Sequence, residues 1–138
     1  MDYETRKLSD NLIFIRWHRI SFASEVSESE QAFVAELKHY LDEATQTIYF
    51  VSDLRRGHIT NVRALRKMGE LTEHPYWGGG VSYGIKASTG LLVDTFERIA
   101  LNKTGDHMAR TIGEVGEYLE TLKPGIMKGI NLHAVFGI

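Results

Sequence analysis

Cysteine is absent from this chain of 138 residues, so disulfide bonds, thiol nucleophiles and thiolate metal sites are excluded. An excess of one charge is also lacking: the net charge is -2, which predicts no electrostatic attraction to nucleic acid or to acidic membranes. The apolar runs are much shorter than the roughly 18–20 residues that a membrane-spanning helix requires. The first seven residues are charged and contain no apolar segment of the signal-peptide type. These absences predict a protein without stable membrane insertion and favour a cytoplasmic location.

Recognisable catalytic and cofactor motifs are lacking as well. The six histidines are scattered, and none has the two-histidine spacing with a glutamate that zinc hydrolases use. They are His18, His39, His58, His74, His107 and His133. The glycines at positions 78–80 lack the lysine and the strand-to-helix position of a phosphate-binding loop, and no dinucleotide-binding or nucleophile-elbow motif is present. We therefore predict neither a metal site nor a cofactor.

What the chain does contain is the composition of an ordinary globular domain. Apolar residues make up 43% of it and charged residues 25%, and its length suffices to bury a substantial core. No internal repeat, linker or low-complexity segment divides the sequence. We assign residues 1–125 to one domain and treat residues 126–138 as a C-terminal tail.

The spacing of apolar residues predicts strands that alternate with helices. Strands are predicted at residues 3–8, 12–17, 47–51 and 79–85, with a weak one at 106–110. Helices are predicted after Ser27, from Thr60 to His74, after Ser88 and after Thr111. Two capping boxes, Ser27 with Glu30 and Thr111 with Glu114, support the first and last of these helices. Repeated strand–helix units imply a mostly parallel sheet, and the opening hairpin makes it mixed, so we predict an α/β fold with four to five strands and about four helices.

The tail at residues 126–138 has an apolar pattern of its own. Ile130, Leu132, Ala134 and Phe136 alternate as in a strand, although the predicted domain is already complete. Three alternatives are open: an extra strand, a contact within a homodimer, or a disordered end.

Asp53 follows an apolar predicted strand, which is a common position for a functional carboxylate. No second carboxylate lies within a few residues to form an acid–base pair. The competing interpretation is a structural aspartate that accepts backbone N–H groups in the turn after the strand.

Basic side chains surround the same turn. Arg55 and Arg56 flank it, with His58 and Thr60 near the start of the next helix. Arginine side chains and helix N-terminal amides together form anion sites. Arg19 and Lys86 follow the neighbouring strands and would converge on the same edge, although solvated surface arginines are the alternative interpretation.

The residues around this turn and their order resemble a known family. The opening hairpin, residues 51–55 (VSDLR), the helix containing residues 62–66 (VRALR) and the glycine-rich strand at 79–84 (GGVSYG) resemble the SpoIIAA-like proteins of the STAS superfamily. The resemblance covers about residues 3–124. It implies a mixed sheet with helices mainly on one face, a relation to the lipid-binding CRAL-TRIO domains, and a non-enzymatic protein that binds protein partners or small ligands.

The resemblance also concerns a phosphorylation switch that this sequence does not reproduce. Antagonists of that family carry a phosphorylated serine in an Asp-Ser-Ser-Gly-like turn at a helix N-terminus. Residues 53–60 (DLRRGHIT) contain no such turn. Thr60 is the hydroxyl nearest the expected position and is therefore the candidate phosphosite.

These observations predict a regulatory or binding module that engages an unidentified protein partner or a small anionic or apolar ligand at the carboxyl edge of the sheet. The residues predicted to bind are Arg19, Ser52, Asp53, Arg55, Arg56, His58, Thr60, Tyr83 and Lys86. The alternative is a small enzyme that acts on a phosphorylated or carboxylated substrate through Asp53 or His58 with Arg55 and Arg56. Binding of an apolar ligand, by analogy with CRAL-TRIO domains, is a third interpretation.

Overall fold

A five-stranded sheet forms the centre of the computed structural model, which describes residues 2–19, 28–58, 62–84 and 106–138. The strands are β1 (Tyr3–Ser9), β2 (Leu12–Trp17), β3 (Ile48–Asp53), β4 (Trp77–Tyr83) and β5 (Asp106–Ala109). They lie side by side in chain order. β1 is antiparallel to β2, whereas the pairs from β2 to β5 are all parallel. The predicted mixed, mostly parallel sheet is confirmed.

Four helices flank the sheet among the described residues: α1 (Glu28–Asp42), α2 (Val62–Leu71), α3 (Ile112–Leu122) and α4 (Leu132–Phe136). The predicted cap of α3 is present, because the Glu114 backbone N–H donates to the Thr111 hydroxyl at 3.0 Å. Ser27, the predicted cap of α1, and the helix predicted after Ser88 lie outside the described residues.

Apolar side chains on both faces of β2 and β3 create two core clusters. Ile13, Ile15 and Phe50 pack on one face with residues of α1 and α2. Leu12 and Phe14 pack on the opposite face with residues of α3 and α4. The described helices are thus shared between the two faces, whereas the family resemblance implied that they lie mainly on one. The reason is that nearly every residue of these central strands is apolar, so both faces have to be covered.

The tail contains a helix where its alternating apolar residues favoured a strand. α4 begins after Asn131, whose side-chain oxygen accepts the Ala134 backbone N–H at 3.2 Å, and it ends at Gly137, which has a φ of 74°. Leu132 and Phe136 are buried in the second core cluster. The extra strand is therefore wrong for these residues. The local caps and the four-residue spacing of the two buried side chains fit a helical turn better than a strand.

None of the helices in the described ranges has both the length and the apolar character needed to cross a membrane.

Candidate functional site

The carboxyl ends of three parallel strands bring polar side chains together at one edge of the sheet. The register places Arg16 of β2 beside Asp53 of β3, and Asp53 beside Tyr83 of β4. Because side chains alternate along a strand, these three lie on the same face as α3 and α4. We call Arg16, Asp53, Arg55, Tyr83 and Phe136 the edge cluster.

Asp53 is the most completely bonded member of the edge cluster. It is 2% exposed. Its Oδ1 accepts the Arg55 backbone N–H at 3.1 Å and Arg55 Nε at 3.0 Å, and its Oδ2 accepts Arg55 Nη2 at 2.8 Å and Arg16 Nε at 2.9 Å. Burial alone would raise the pKa of Asp53, but the hydrogen bonds from Arg55 and Arg16 outweigh it and hold the pKa below its usual value. The side chain is therefore an ionised anchor for two guanidinium groups.

The same two arginines also bind the last carbonyl groups of α4. Arg16 Nη2 donates to the Val135 carbonyl oxygen at 3.1 Å, and Arg55 Nη2 donates to the Phe136 carbonyl oxygen. These carbonyls have no partner further along a helix, and they carry the negative end of its dipole. Two positive side chains from the sheet thus cap the C-terminal end of a short helix.

The ring of Phe136 lies in an aromatic cleft at the same place. Its centroid is 5.4 Å from that of Phe14 and 5.5 Å from that of Tyr83, with interplanar angles of 71° and 79°. Such edge-to-face contacts are favourable beyond the area that they bury. The Arg55 guanidinium lies 5.7 Å from the Phe136 centroid, which adds a cation–π contact.

The described residues that directly follow β2, β3 and β4 pack closely against each other beside the edge cluster. A Cβ at Gly57 would lie 2.1 Å from the Arg19 carbonyl oxygen, so only glycine lets these two loops approach this closely. Gly84 has a φ of 97°, and a Cβ there would lie 2.9 Å from the Arg55 nitrogen. The Leu54 N–H donates to the Tyr83 carbonyl oxygen at 2.8 Å. The described residues at the ends of the three strands are thereby in contact with one another.

The residues predicted to bind from sequence are only partly brought together. Asp53, Arg55 and Tyr83 meet in the edge cluster. Ser52 is half-buried on the opposite face, because it is the residue before Asp53 in the same strand; β3 extends two residues beyond the predicted end at Val51.

The other predicted binding residues have different surroundings. Arg19 is 73% exposed and pairs with Asp2 at 2.6 Å, Arg56 is exposed, and His58 is buried. Thr60 and Lys86 lie outside the described residues, so the predicted phosphosite does too.

Arg16 and Phe136 are the members of the edge cluster that sequence reasoning missed. A signal for Arg16 exists, since it is the one charged residue in the apolar run at 12–17, and a charge in a central strand requires a partner. Phe136 carries no comparable signal, because nothing in the tail indicates which part of the sheet it contacts.

The described residues include no group of three or more histidine, aspartate or glutamate side chains arranged to hold a metal ion.

Comparison with known proteins identifies the fold. The structure is similar to that of a serine-to-glutamate variant of RsbS from Moorella thermoacetica, with a TM-score of 0.60, coverage of 88% of this chain and 97% of that one, and 18% sequence identity. RsbS is a STAS-domain anti-sigma-factor antagonist. No protein-family model and no curated protein matches the sequence. The chain thus has the same fold as that protein, and the SpoIIAA-like fold predicted from the sequence is confirmed.

Proposed function

We propose that the protein is a cytoplasmic, non-enzymatic regulatory module that binds a protein partner at the carboxyl edge of its sheet. The observation that carries this proposal is the close packing of the described residues that directly follow β2, β3 and β4, in a fold shared with a regulatory STAS protein. Binding sites are concentrated on loops that a rigid scaffold positions.

The proposed binding surface has an exposed basic rim around the edge cluster. Arg56 is exposed, and Arg19 keeps most of its side chain in solvent although it pairs with Asp2. Exposed arginines favour contact with an acidic or phosphorylated partner surface. We include Ser52, His58, Tyr83, Thr60 and Lys86 in the proposed surface because they flank the same strand ends in the sequence.

The bonding of Asp53 supports a binding module over the enzymatic alternative. A general acid or base has a pKa near the working pH and needs access to substrate. The pKa of Asp53 is lowered and both of its oxygens are occupied by Arg16 and Arg55. We therefore assign Asp53 the role of positioning Arg55 within the proposed surface.

Affinity capture with matched charge reversals tests the proposal. The tagged wild-type protein and two variants, Arg56→Glu at the proposed edge and Lys7→Glu near the opposite edge, would be compared on the same native lysate. Both positions are exposed, so both variants should fold. We expect a reproducible partner to be retained by the wild type and by Lys7→Glu and to be reduced about tenfold with Arg56→Glu.

Equal loss or equal retention of the partner by the two variants would contradict the assignment of the surface. Native mass spectrometry of the purified protein covers the small-ligand alternative. An added mass that survives Lys7→Glu but not Arg56→Glu would identify a ligand in place of a protein partner.

A further inference from the structure

The edge cluster consists of two halves that come from different parts of the chain. The receiving half is built on the sheet: Arg16 and Phe14 belong to β2, Arg55 follows β3, and Tyr83 ends β4. These residues contact the ring of Phe136 and the carbonyls of Val135 and Phe136, all of which belong to α4.

The receiving half has hydrogen bonds of its own that do not involve α4. Asp53 orients both guanidinium groups through three hydrogen bonds, and it accepts a fourth from the Arg55 backbone N–H. The Leu54 N–H bond to the Tyr83 carbonyl joins the loop after β3 to the end of β4. A cleft that keeps its shape when its occupant leaves has the property of a binding site, because binding then requires little reorganisation.

The other half of the edge cluster is α4, which is too short to be stable as a helix by itself. α4 has five residues, far fewer than the roughly 12–15 that an isolated helix needs to be marginally stable. The turn before it contains Gly125 and Gly129 at positive φ, and a Cβ at either position would meet nothing within 4 Å. The Glu120 carboxylate holds the first half of this turn, because it accepts the Gly125 N–H at 3.1 Å and the Met127 N–H at 2.9 Å. The position at which α4 can turn away from the sheet is therefore Gly129, which lies after these bonds.

We propose that α4 is an internal ligand of the edge cluster and that the external partner displaces it. The cleft would then recognise a helix C-terminus that presents an aromatic side chain in its last turn next to backbone carbonyls without intrahelical partners. This inference rests on the proposed function, and it makes the tail an inhibitory segment that competes with the partner for one surface.

A peptide supplied in trans tests whether the cleft is a site. A fluorescein-labelled peptide of residues 130–138 would be titrated into the full-length wild type, Phe136→Ala and Ile138→Ala, with anisotropy as the readout. Ile138 is 58% exposed, so its truncation leaves α4 docked. We expect Phe136→Ala to bind the peptide at least about tenfold more tightly than the wild type or Ile138→Ala do, because in those two proteins the tethered α4 competes at high effective concentration.

The specificity of that binding has two controls. Adding Arg55→Ala to Phe136→Ala should abolish binding, and a peptide with alanine in place of Phe136 should not bind. Failure of a folded Phe136→Ala protein to bind the peptide would overturn the proposal. Equal binding with and without Arg55→Ala would overturn it as well.

Hydrogen exchange on the wild type keeps the proposal testable if Phe136→Ala does not fold. The amides of Val135, Gly137 and Ile138 donate to carbonyls within the tail. If α4 detaches on its own, these amides should exchange at least about 100-fold faster than those of β3. Exchange at the same rate as β3 would make α4 an integral part of the fold and overturn the proposal.

The two proposals fail in distinguishable ways. Peptide binding without any captured partner would show that the edge cluster binds a helix end, and it would remove the proposed function together with displacement by a partner. Capture of a partner that Phe136→Ala does not strengthen would leave the proposed function standing and overturn the displacement of α4.

Discussion

Asp53 determines the arrangement of the edge cluster because one buried carboxylate orients two arginines. Its oxygens accept hydrogen bonds from Arg16 on the neighbouring strand and from Arg55 two residues further along the chain. Charge-assisted bonds of this kind are shorter and stronger than neutral ones. Replacing the carboxylate therefore affects both strands and the helix that the arginines contact.

Asp53→Asn tests this role. An amide offers one acceptor oxygen and no charge, so the two guanidinium groups would lose most of their bonding. The partly exposed arginines can regain water, so we expect the free energy of unfolding to fall by about 2–4 kcal/mol. Urea denaturation measures the change. The control is Asp10→Asn in the exposed turn before β2, which should change stability by less than about 0.5 kcal/mol. Similar values for the two variants would contradict the structural role.

The pH dependence of stability provides a second test of the same carboxylate. The pKa of Asp53 is lower in the folded protein than in the unfolded chain, where it is about 3.9. Its contribution is therefore complete above the unfolded pKa and is lost as the pH falls through that value towards the folded pKa. Between about pH 5 and pH 2 the wild type should lose stability more steeply than Asp53→Asn in parallel urea titrations. The other carboxylates with lowered pKa are common to both proteins and cancel. Parallel curves would show that Asp53 is not responsible.

The candidate site could be predicted from sequence only where its residues follow a strand. Asp53 and Arg55 stand out because they come directly after an apolar run. Arg16 looks like a minor interruption of another apolar run. Its partner Asp53 lies 37 positions further along the chain, and their pairing depends on the register between two strands. Register depends on packing across the whole sheet, which no local pattern contains.

The chain just after β3 packs closely against the end of β2 because Gly57 has no side chain. A Cβ at Gly57 would approach the backbone of Arg19 to 2.1 Å from its oxygen and 2.5 Å from its nitrogen. Backbone atoms cannot turn aside as a flexible side chain can, so the two loops would have to separate.

Gly57→Ala should therefore lower the free energy of unfolding by about 1–3 kcal/mol, as measured by thermal or urea denaturation. The matched control is Gly113→Ala on α3. There the nearest atom would be 3.9 Å away, and the better helix propensity of alanine should raise stability by up to about 1 kcal/mol. We therefore expect the two substitutions to change the free energy of unfolding in opposite directions. A neutral Gly57→Ala would mean that the loops are not tightly packed.

α4 shows where element prediction fails. A pattern of four apolar residues at every second position also places two of them four residues apart, so a short segment fits both a strand and one helical turn. Asn131 and Gly137 decide in favour of the helix through their capping conformations. In the longer elements the apolar pattern fits either a strand or a helix but not both. The predicted hairpin, α1 and α3 are all present.

Among the described residues, the sheet separates two buried core clusters that have no side chain in common. Phe33 of α1 belongs to the cluster on one face, and Val115 of α3 belongs to the cluster on the other. Within one face contacts are direct: the rings of Trp17 and Phe33 are 5.1 Å apart.

Double-mutant cycles should detect this division. Phe33→Leu and Val115→Ala lie on opposite faces, so their effects on the free energy of unfolding should add within about 0.5 kcal/mol. Phe33→Leu with Trp17→Phe changes two rings in contact, and that pair should deviate from additivity by more than about 0.5 kcal/mol. Urea denaturation of the single and double variants gives both values. Coupling across the sheet as large as that within one face would contradict two separate cores.

The overall fold was more accessible from sequence than any site, because it depends on repeated patterns. Alternating strand and helix signals predict a parallel sheet from general rules of chain connection, and the comparison with RsbS confirms it. The covering of both faces could also have been inferred from the near-continuous apolar runs of β2 and β3.

The strands lie in the sheet in the order in which they occur in the chain, and this has a consequence for synthesis on the ribosome. Each new strand emerges when the strand that it pairs with has already been made, so the sheet can grow from one side without waiting for later residues. α4 is the exception, since Phe136 contacts Phe14 near the beginning of the chain. The face that carries the edge cluster therefore stays open until Phe136 has been made, and until then a nascent chain presents that face uncovered to whatever binds it first.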